Sequence, residues 1–433
     1  MPDDSFVFQV EEGRLDAPLP RFVRVRQRFE APEEPDVAAA VIREVRRLEG
    51  VVHPGMTVAV GVGSRGIADL PLIVSTAVAE LTRLGARPFI VPAMGSHGGA
   101  TPEGQREVLA GYGITPDAVG AEIHAGMDTR IIWRTAGGIA VHFSREALAA
   151  DAVLPLNRVK VHTSFHGPVE SGLSKMLTVG FGKHKGAAAL HHVGADAFEW
   201  LIPEAATLVL EQVPVVGGLA VVENAYERVA HLEMVMPGAI PQREPELLDL
   251  SRKLMPGIPF KDLDLLVVDY IGKDISGDGM DPNLTGRHPN PRMAQPERSP
   301  RKIVVLRLTE RTHGNVNGLG LADLTTRAVV ESIDYQQTWT NAVTSLELEY
   351  GKTPMWVADD RTAIALALST CTGVVVEAAR AVRIRSTLDL EHLWVSEALW
   401  QSEGGVRSDL EALGEPGEIA FNEAGNLVDL PLA

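Results

Sequence analysis

The sequence predicts an α/β protein of two α/β domains, with the active site expected in the cleft between them. Three observations carry this. An apolar run, a glycine loop and an amphipathic helix follow one another twice before residue 112. That order predicts parallel strands joined by crossover helices. A second α/β pattern begins after the proline- and charge-rich stretch Pro237 to Pro259. The chain has 433 residues, a length that suits two or three domains. The boundary is set at the end of that stretch, giving domains 1–258 and 259–433.

Each element has its own signal. The first thirty residues suit an extended leading arm, and Val37 to Leu48 has the periodicity of an amphipathic helix. Met56 to Val62 is a short apolar run ending in Gly63-Ser64-Arg65-Gly66, which suits a buried strand and a tight loop. Leu70 to Leu84 is helical in period, and Arg87 to Ala93 is strand-like. Gly95-Ser96-His97-Gly98-Gly99 then forms a second glycine loop, and Thr101-Pro102 is an N-cap and N1 pair for a helix through Gly111. Val153 to Val161 and Val216 to Val222 read as strands, and Glu170 to Leu177 starts a helix. In the second half, Leu263 to Tyr270 and Lys302 to Leu308 read as strands. Leu321 to Ser332, Gln336 to Glu347 and Arg361 to Leu368 read as helices. In open α/β sheets ligands bind at the carboxyl ends of the strands, where both glycine loops fall.

Composition narrows the function classes. A formal charge of −17 argues against nucleic acid and anionic membrane as partners. No apolar run approaches about 18 residues, and Met1-Pro2-Asp3-Asp4 opens no signal peptide. A cytoplasmic location is therefore expected. Cys371 is the sole cysteine, so an intramolecular disulfide and a cysteine-based zinc site are excluded. It lies between apolar stretches and reads as a buried structural residue.

The chemistry-bearing residues concentrate between Asn157 and His192. This stretch holds five of the thirteen histidines, His162, His166, His184, His191 and His192, beside five lysines or arginines. Histidine carries protons and binds metals near neutral pH, and a desolvated lysine can act as a covalent anchor. Glycines 167, 172, 180, 182 and 186 let backbone approach a ligand closely. The same composition also suits a solvated glycine loop, and no single residue in it is specific. His97 and Arg65 stand on the two earlier glycine loops, where a guanidinium could hold a carboxylate or phosphate bidentately. The loop Gly272 to Asn283 places Asp274, Ser276, Asp278 and Gly279 at four calcium-loop positions, but Thr285 falls where a bidentate glutamate is needed. It reads as an ordered loop facing the cleft, with Lys273 or Asp274 in reach of ligand. Asp334 to Asn341 opens a helix as either a substrate wall carrying Tyr335 or plain aromatic packing. Asp359-Asp360 reads as an N-cap.

These residues resemble the nickel-dependent lactate racemases and their 2-hydroxyacid racemase and epimerase relatives. The resemblance runs from Arg21 to about Leu368. It is sharpest in Ser171-Gly172-Leu173-Ser174-Lys175 with His191, and in Gly95-Ser96-His97. Family members carry a Ser-Gly-Gly-x-Lys-like element and a histidine sixteen residues after its lysine; here that histidine is His191, not His192. A less characterised branch is more similar still, sharing Gly-Ser-Arg-Gly-Ile, Met-Gly-Ser-His-Gly-Gly and the Gly-Lys-Asp-Ile-Ser-Gly loop. The resemblance implies that Lys175 is joined through a thioamide to a nickel-pincer nucleotide and that His191 ligates the nickel, with Ser171 and Gly172 at the cofactor. Imidazole suits nickel, and tetragonal Ni(II) then needs a single protein nitrogen. His97 is implied as an acid/base for the substrate hydroxyl, and Arg65 as the carboxylate holder.

The implied reaction is redox-neutral inversion of a 2-hydroxyacid. One histidine removes the hydroxyl proton as the α-hydride leaves, and the planar keto acid takes the hydride back on its other face. A base is needed on each side because both enantiomers are served. The second base is either His162 or His166. His166 lies nine residues before Lys175, family spacing of ten lands on Phe165, and the closer branch resembles Lys-x-His-Thr-x-Phe at His162. Two further departures are Val62, where the racemases have aspartate, and the C-terminal carboxylate-binding lysine, matched here only by Lys273. They point to a larger or differently charged 2-hydroxyacid than lactate. The implied partners are that small-molecule substrate and the enzymes that make the cofactor. Two other readings fit the residues alone: a zinc lyase or hydrolase built on His162, His166 and His191, and a non-catalytic nucleotide- or metal-binding protein.

Overall fold

The structure is a computed structural model and describes residues 15–290, 293 and 295–428. The chain divides into two compact units: Glu30–Pro256, and the segment ending at Phe29 together with the chain from Gly257 onward. In chain order the strands are β1 (Phe22–Gln27), β2 (Thr57–Val62), β3 (Arg87–Pro92), β4 (Thr129–Arg134), β5 (Ala140–Ser144), β6 (Ala152–Arg158), β7 (Gly218–Glu223) and β8 (Val229–Val235). They continue as β9 (Leu265–Ile271), β10 (Lys302–Leu308), β11 (Leu324–Thr326), β12 (Met355–Val357), β13 (Ala381–Ile384), β14 (His392–Ser396) and β15 (Leu410–Ala412).

The unit Glu30–Pro256 is built on a five-stranded sheet of order β3-β2-β6-β7-β8. The first four strands run parallel and β8 closes the edge antiparallel. Alternate residues of β2 serve opposite faces, as the pleat requires. Val58, Val60 and Val62 pack with Val41, Ile73, Val74, Ala77 and Leu81 of the helices Val37–Val45 and Leu70–Arg83. Ala59 faces the other way, into a core holding Leu173, Met176, Phe181, Leu247 and Leu248. Helices therefore cover both faces, and the strands are apolar on both. Each fully buried Leu, Ile or Val contributes roughly 1.5–3 kcal/mol to this burial. The hairpin of β4 and β5 stands apart from the sheet.

The second unit carries an eight-stranded sheet of order β12-β11-β10-β9-β13-β14-β1-β15. Strands β12 to β13 in that order are parallel, while β14, β1 and β15 alternate antiparallel. Both units are thus α/β, as the sequence predicts.

Three expectations are corrected. The leading arm, expected in the first domain, belongs to the second unit, because β1 hydrogen-bonds to β14 on one side and β15 on the other; residues 1–14 of that arm lie outside the described residues. The stretch read as a proline-rich boundary is mostly the helix Ile240–Leu254, which carries Pro241 in its first turn and Pro245 inside. The helix expected over Leu321 to Ser332 is the strand β11 followed by a short helix Arg327–Glu331. The buried Leu324-Thr325-Thr326, with two β-branched threonines, fits between β10 and β12, and tertiary pairing overrides the helical pattern there. Among the described residues no helix is long and apolar enough to cross a membrane.

Candidate active site

Both glycine loops leave the carboxyl ends of neighbouring parallel strands, β2 and β3. Arg65 stands exposed on the first, and His97 on the second. The loops are tied together by Ser64, whose hydroxyl hydrogen-bonds His97 Nδ1, and by Tyr112, whose hydroxyl donates to the Ser64 carbonyl at 3.0 Å. Thr101 caps the next helix, its hydroxyl accepting from Gly104 N at 3.0 Å.

The lysine-bearing segment docks directly under the His97 loop. The helix begins at Leu173–Lys175, widens into a π-turn over Met176–Gly180, and restarts as Lys183–His191. π-turns inside helices often mark functional positions. The contact requires glycine at 180: a β-carbon there would lie 2.6 Å from the Ala93 carbonyl oxygen. Gly95 N donates to the Gly180 carbonyl at 3.1 Å, sealing the two segments together.

The residues before Lys175 are fixed by two buried glutamates. Glu170 accepts from His162 N, from Gly167 N at 3.4 Å and from the Arg252 guanidinium at 2.7 Å, and it pairs with His166 Nδ1 at 3.3 Å. Ser171 exchanges both backbone hydrogen bonds with Lys160, and the Gly172 carbonyl accepts from Asn157 Nδ2 at 2.8 Å. Glu244 accepts from Ser174 N and Ser174 Oγ, capping the start of the lysine helix. Burial pushes its carboxyl up to about 7, against the pull of the Ser174 and Leu173 donors.

An aromatic pair spans the site. His162 packs on Phe165 with ring centroids 4.5 Å apart, and the Lys175 ammonium lies 5.2 Å from the same ring. Phe165 meets Phe198 edge-on at 5.1 Å, and Phe198 meets His191 edge-on at 4.9 Å. His162, Lys175 and His191 thus surround two buried phenylalanines. His162 Nδ1 accepts from Ser164 N at 3.0 Å, so in the neutral ring the proton sits on Nε2.

Charge coupling joins these side chains to the glycine loops. Desolvation lowers His97 to about 4, helped by the charges of Arg65, Lys175 and His191. Desolvation also holds His162 well below its ordinary value, with Lys175, Arg65, His191 and His166 adding to the effect. His191 is lowered by desolvation and then by Lys175. His97 and His191 each keep an exposed face, so their rings are ligand-accessible while largely neutral at pH 7. Histidine NMR of the protein should place the His97 midpoint near about 4; an ordinary midpoint would mean that the loop does not hold the ring beside these cations.

Arg65, His97, His162, Lys175 and His191 therefore form one cluster within a single unit. His166 is coupled to His162 and engaged by Glu170. Lys273 and Tyr335 belong to the other unit. Lys273 Nζ donates to the Gly277 carbonyl of its own loop, and Tyr335 is exposed beside Trp339, with Asp334 capping the helix through Gln337 N at 2.9 Å. Asp359 caps its helix through Thr362 N at 2.9 Å, and Cys371 is buried with its thiol pushed up by desolvation. The zinc reading is corrected: among the described residues no three His, Cys, Asp or Glu side chains gather to hold a metal, so His162, His166 and His191 are not a ligand set. Sequence reasoning placed Lys183 in the basic cluster without a role of its own, and missed Gln105, Phe198 and Glu244.

No protein-family model and no curated protein matches the chain. Solved structures similar to the chain include the following two. A protein from Thermotoga maritima has a TM-score of 0.44 and 14% identity, covering 63% of this chain and 71% of that one. The lactate racemase apoprotein from Thermoanaerobacterium thermosaccharolyticum has a TM-score of 0.47 and 12% identity, covering 94% of each chain.

Proposed function

We propose that the protein is a racemase or epimerase that inverts the α-carbon of a 2-hydroxyacid with a nickel-pincer nucleotide held through Lys175 and His191. The observation that carries this reading is the gathering of two neutral histidines, His97 and His162, with Arg65, Lys175 and His191 into one charge-coupled cluster.

The donor set suits that group. An amine and an imidazole flank the same phenylalanine pair, and no second protein nitrogen or thiolate is needed when the remaining ligands come from the cofactor. Lys175 would be the anchor and His191 the nickel ligand, with Ser171 and Gly172 shaping the backbone beside them. Bound there, the group supplies a hydride acceptor, the chemistry that no side chain here provides.

The chain's own residues do the rest. Arg65 holds the substrate carboxylate bidentately. His97 and His162, both kept neutral by desolvation and neighbouring cations, accept the hydroxyl proton from one enantiomer and return it to form the other. Phe165 and Phe198, both buried, exclude water from the side of the cluster they occupy.

The test is to produce the chain together with the enzymes that make the cofactor, then to record intact mass and metal content. A nucleotide-sized adduct with stoichiometric nickel, lost in Lys175→Ala, is the expected result. Absence of both from the wild type under those conditions would refute the reading. Binding with turnover unaffected by His97→Ala would instead mark a carrier of the nucleotide. Chiral analysis on a panel of 2-hydroxyacids then reads the substrate.

A further inference from the structure

The His97 loop is held from below by a side chain that carries two costs at once. Lys183 is fully buried, and its backbone adopts φ +52°, the left-handed region. Burying an ammonium is expensive, and a non-glycine residue in that conformation is strained. Glycine would relieve both, and Gly180, Gly182 and Gly186 stand close by in sequence. What the lysine achieves is a directed chain of hydrogen bonds. Its Nζ donates to the Pro92 carbonyl at 2.6 Å and to Gln105 Oε1 at 3.0 Å. The Gln105 amide, itself fully buried, then donates to the Gly95 carbonyl at 3.0 Å and the His97 carbonyl at 3.3 Å. Lys183 opens the helix that ends at His191. One relay thus joins the helix of the proposed nickel ligand to the backbone of the proposed acid/base.

We infer that Lys183 and Gln105 are positioning residues that lock the His97 loop onto the helix bearing His191. The inference rests on His97 acting in the proposed reaction, but the lock itself is a property of the chain. The amide orientation follows from the ammonium: a lysine can only donate, so Gln105 must present its oxygen to Lys183 and its nitrogen to the loop. Desolvation lowers the Lys183 ammonium to about 8, with Glu146 pulling it back up, so the donor is charged at neutral pH.

Two variants separate positioning from bulk stability. Gln105→Glu keeps an acceptor for Lys183 and so offsets the lost bonds, but it removes both donors to the loop. Lys183→Met keeps the apolar stem and removes the charge. Both are expected to raise the His97 NMR midpoint toward the ordinary value. Both should also quicken amide exchange at Gly95, His97 and Ala100 about tenfold, the effect of losing one or two hydrogen bonds. Exchange in β2 should not change. If Gln105→Glu retains the fold and leaves the His97 midpoint and these amides unmoved, the proposal is overturned. Global unfolding of both variants would also overturn it, since the pair would then hold the whole unit and not the loop. A wild-type chain that never racemises, yet shows the His97 shift in both variants, would refute the reaction and leave the lock standing.

Discussion

His162→Ala is expected to lower racemisation of the loaded enzyme roughly 10²–10⁴-fold, the usual worth of a positioned acid/base, while His166→Ala stays within about tenfold of wild type. The two histidines lie four residues apart on one loop, but their surroundings differ. His162 packs on Phe165, which also carries the Lys175 ammonium, and it feels the charges of Lys175, Arg65 and His191. Its Nδ1 is committed to Ser164 N, so Nε2 is the atom that exchanges a proton with substrate. His166 is paired with Glu170, a carboxylate that Arg252 and two backbone amides also engage. Removing one of four partners should cost at most about 1 kcal/mol of stability. Steady-state rates in both directions, with melting curves as control, read the contrast. Equal losses in two folded variants would mean that the loop presents His166 instead, and that the assignment of the second base is wrong.

The pH dependence has a definite sign. A histidine whose folded value is lowered is neutral in the folded protein where the unfolded chain is already protonated. The contribution of His97 is therefore complete above about 6.5 and lost as pH falls toward about 4. The acid limb of kcat/KM should follow the same lowered value and not the ordinary imidazole range.

Local pattern carried much of the fold. β2, β3 and their glycine loops, the Thr101 cap and the helices after them are short-range features, and each appears within a residue or two of its expected place. β1 was legible as extended but not as a sheet member, because its partners β14 and β15 lie more than 360 residues away in sequence. The site divides in the same way. Histidines and lysines on glycine-rich backbone declare themselves, whereas the burial that sets Lys183 apart from the other cations of that stretch depends on Pro92 and Gln105, far away in sequence. Glu244 did leave a signal. The helix Ile240–Leu254 buries Ile240, Glu244, Leu247, Leu248, Ser251 and Leu254, so a glutamate sits on the apolar stripe. Reading the stretch as a boundary hid that periodicity.

That glutamate makes Gly172→Ala the substitution with the largest expected effect on stability. A β-carbon at Gly172 would lie 2.0 Å from Glu244 Oε1. The carboxylate can swing away, but only by releasing Ser174 N and Ser174 Oγ, leaving buried donors without an acceptor. A loss of about 2–4 kcal/mol follows from overpacking together with unsatisfied polar groups. Gly172→Ala combined with Glu244→Ala should lose less than the sum of the two single variants, since the clash vanishes with the carboxylate. The carboxyl also sets a pH signature. Its value rises from an ordinary 4.5 to about 7 in the fold, so the folded state binds more protons than the unfolded chain between these values. Stability contributed by the protonated form is complete below about 4.5, is lost as pH rises through about 7, and then stays level. The span corresponds to a few kcal/mol, on the order of 3. Denaturant unfolding of wild type and Glu244→Gln across that window should diverge by this amount, with the variant flatter. Parallel curves would mean that the carboxyl is not buried against the lysine helix, and the cap that orients Lys175 would have to be sought in another residue.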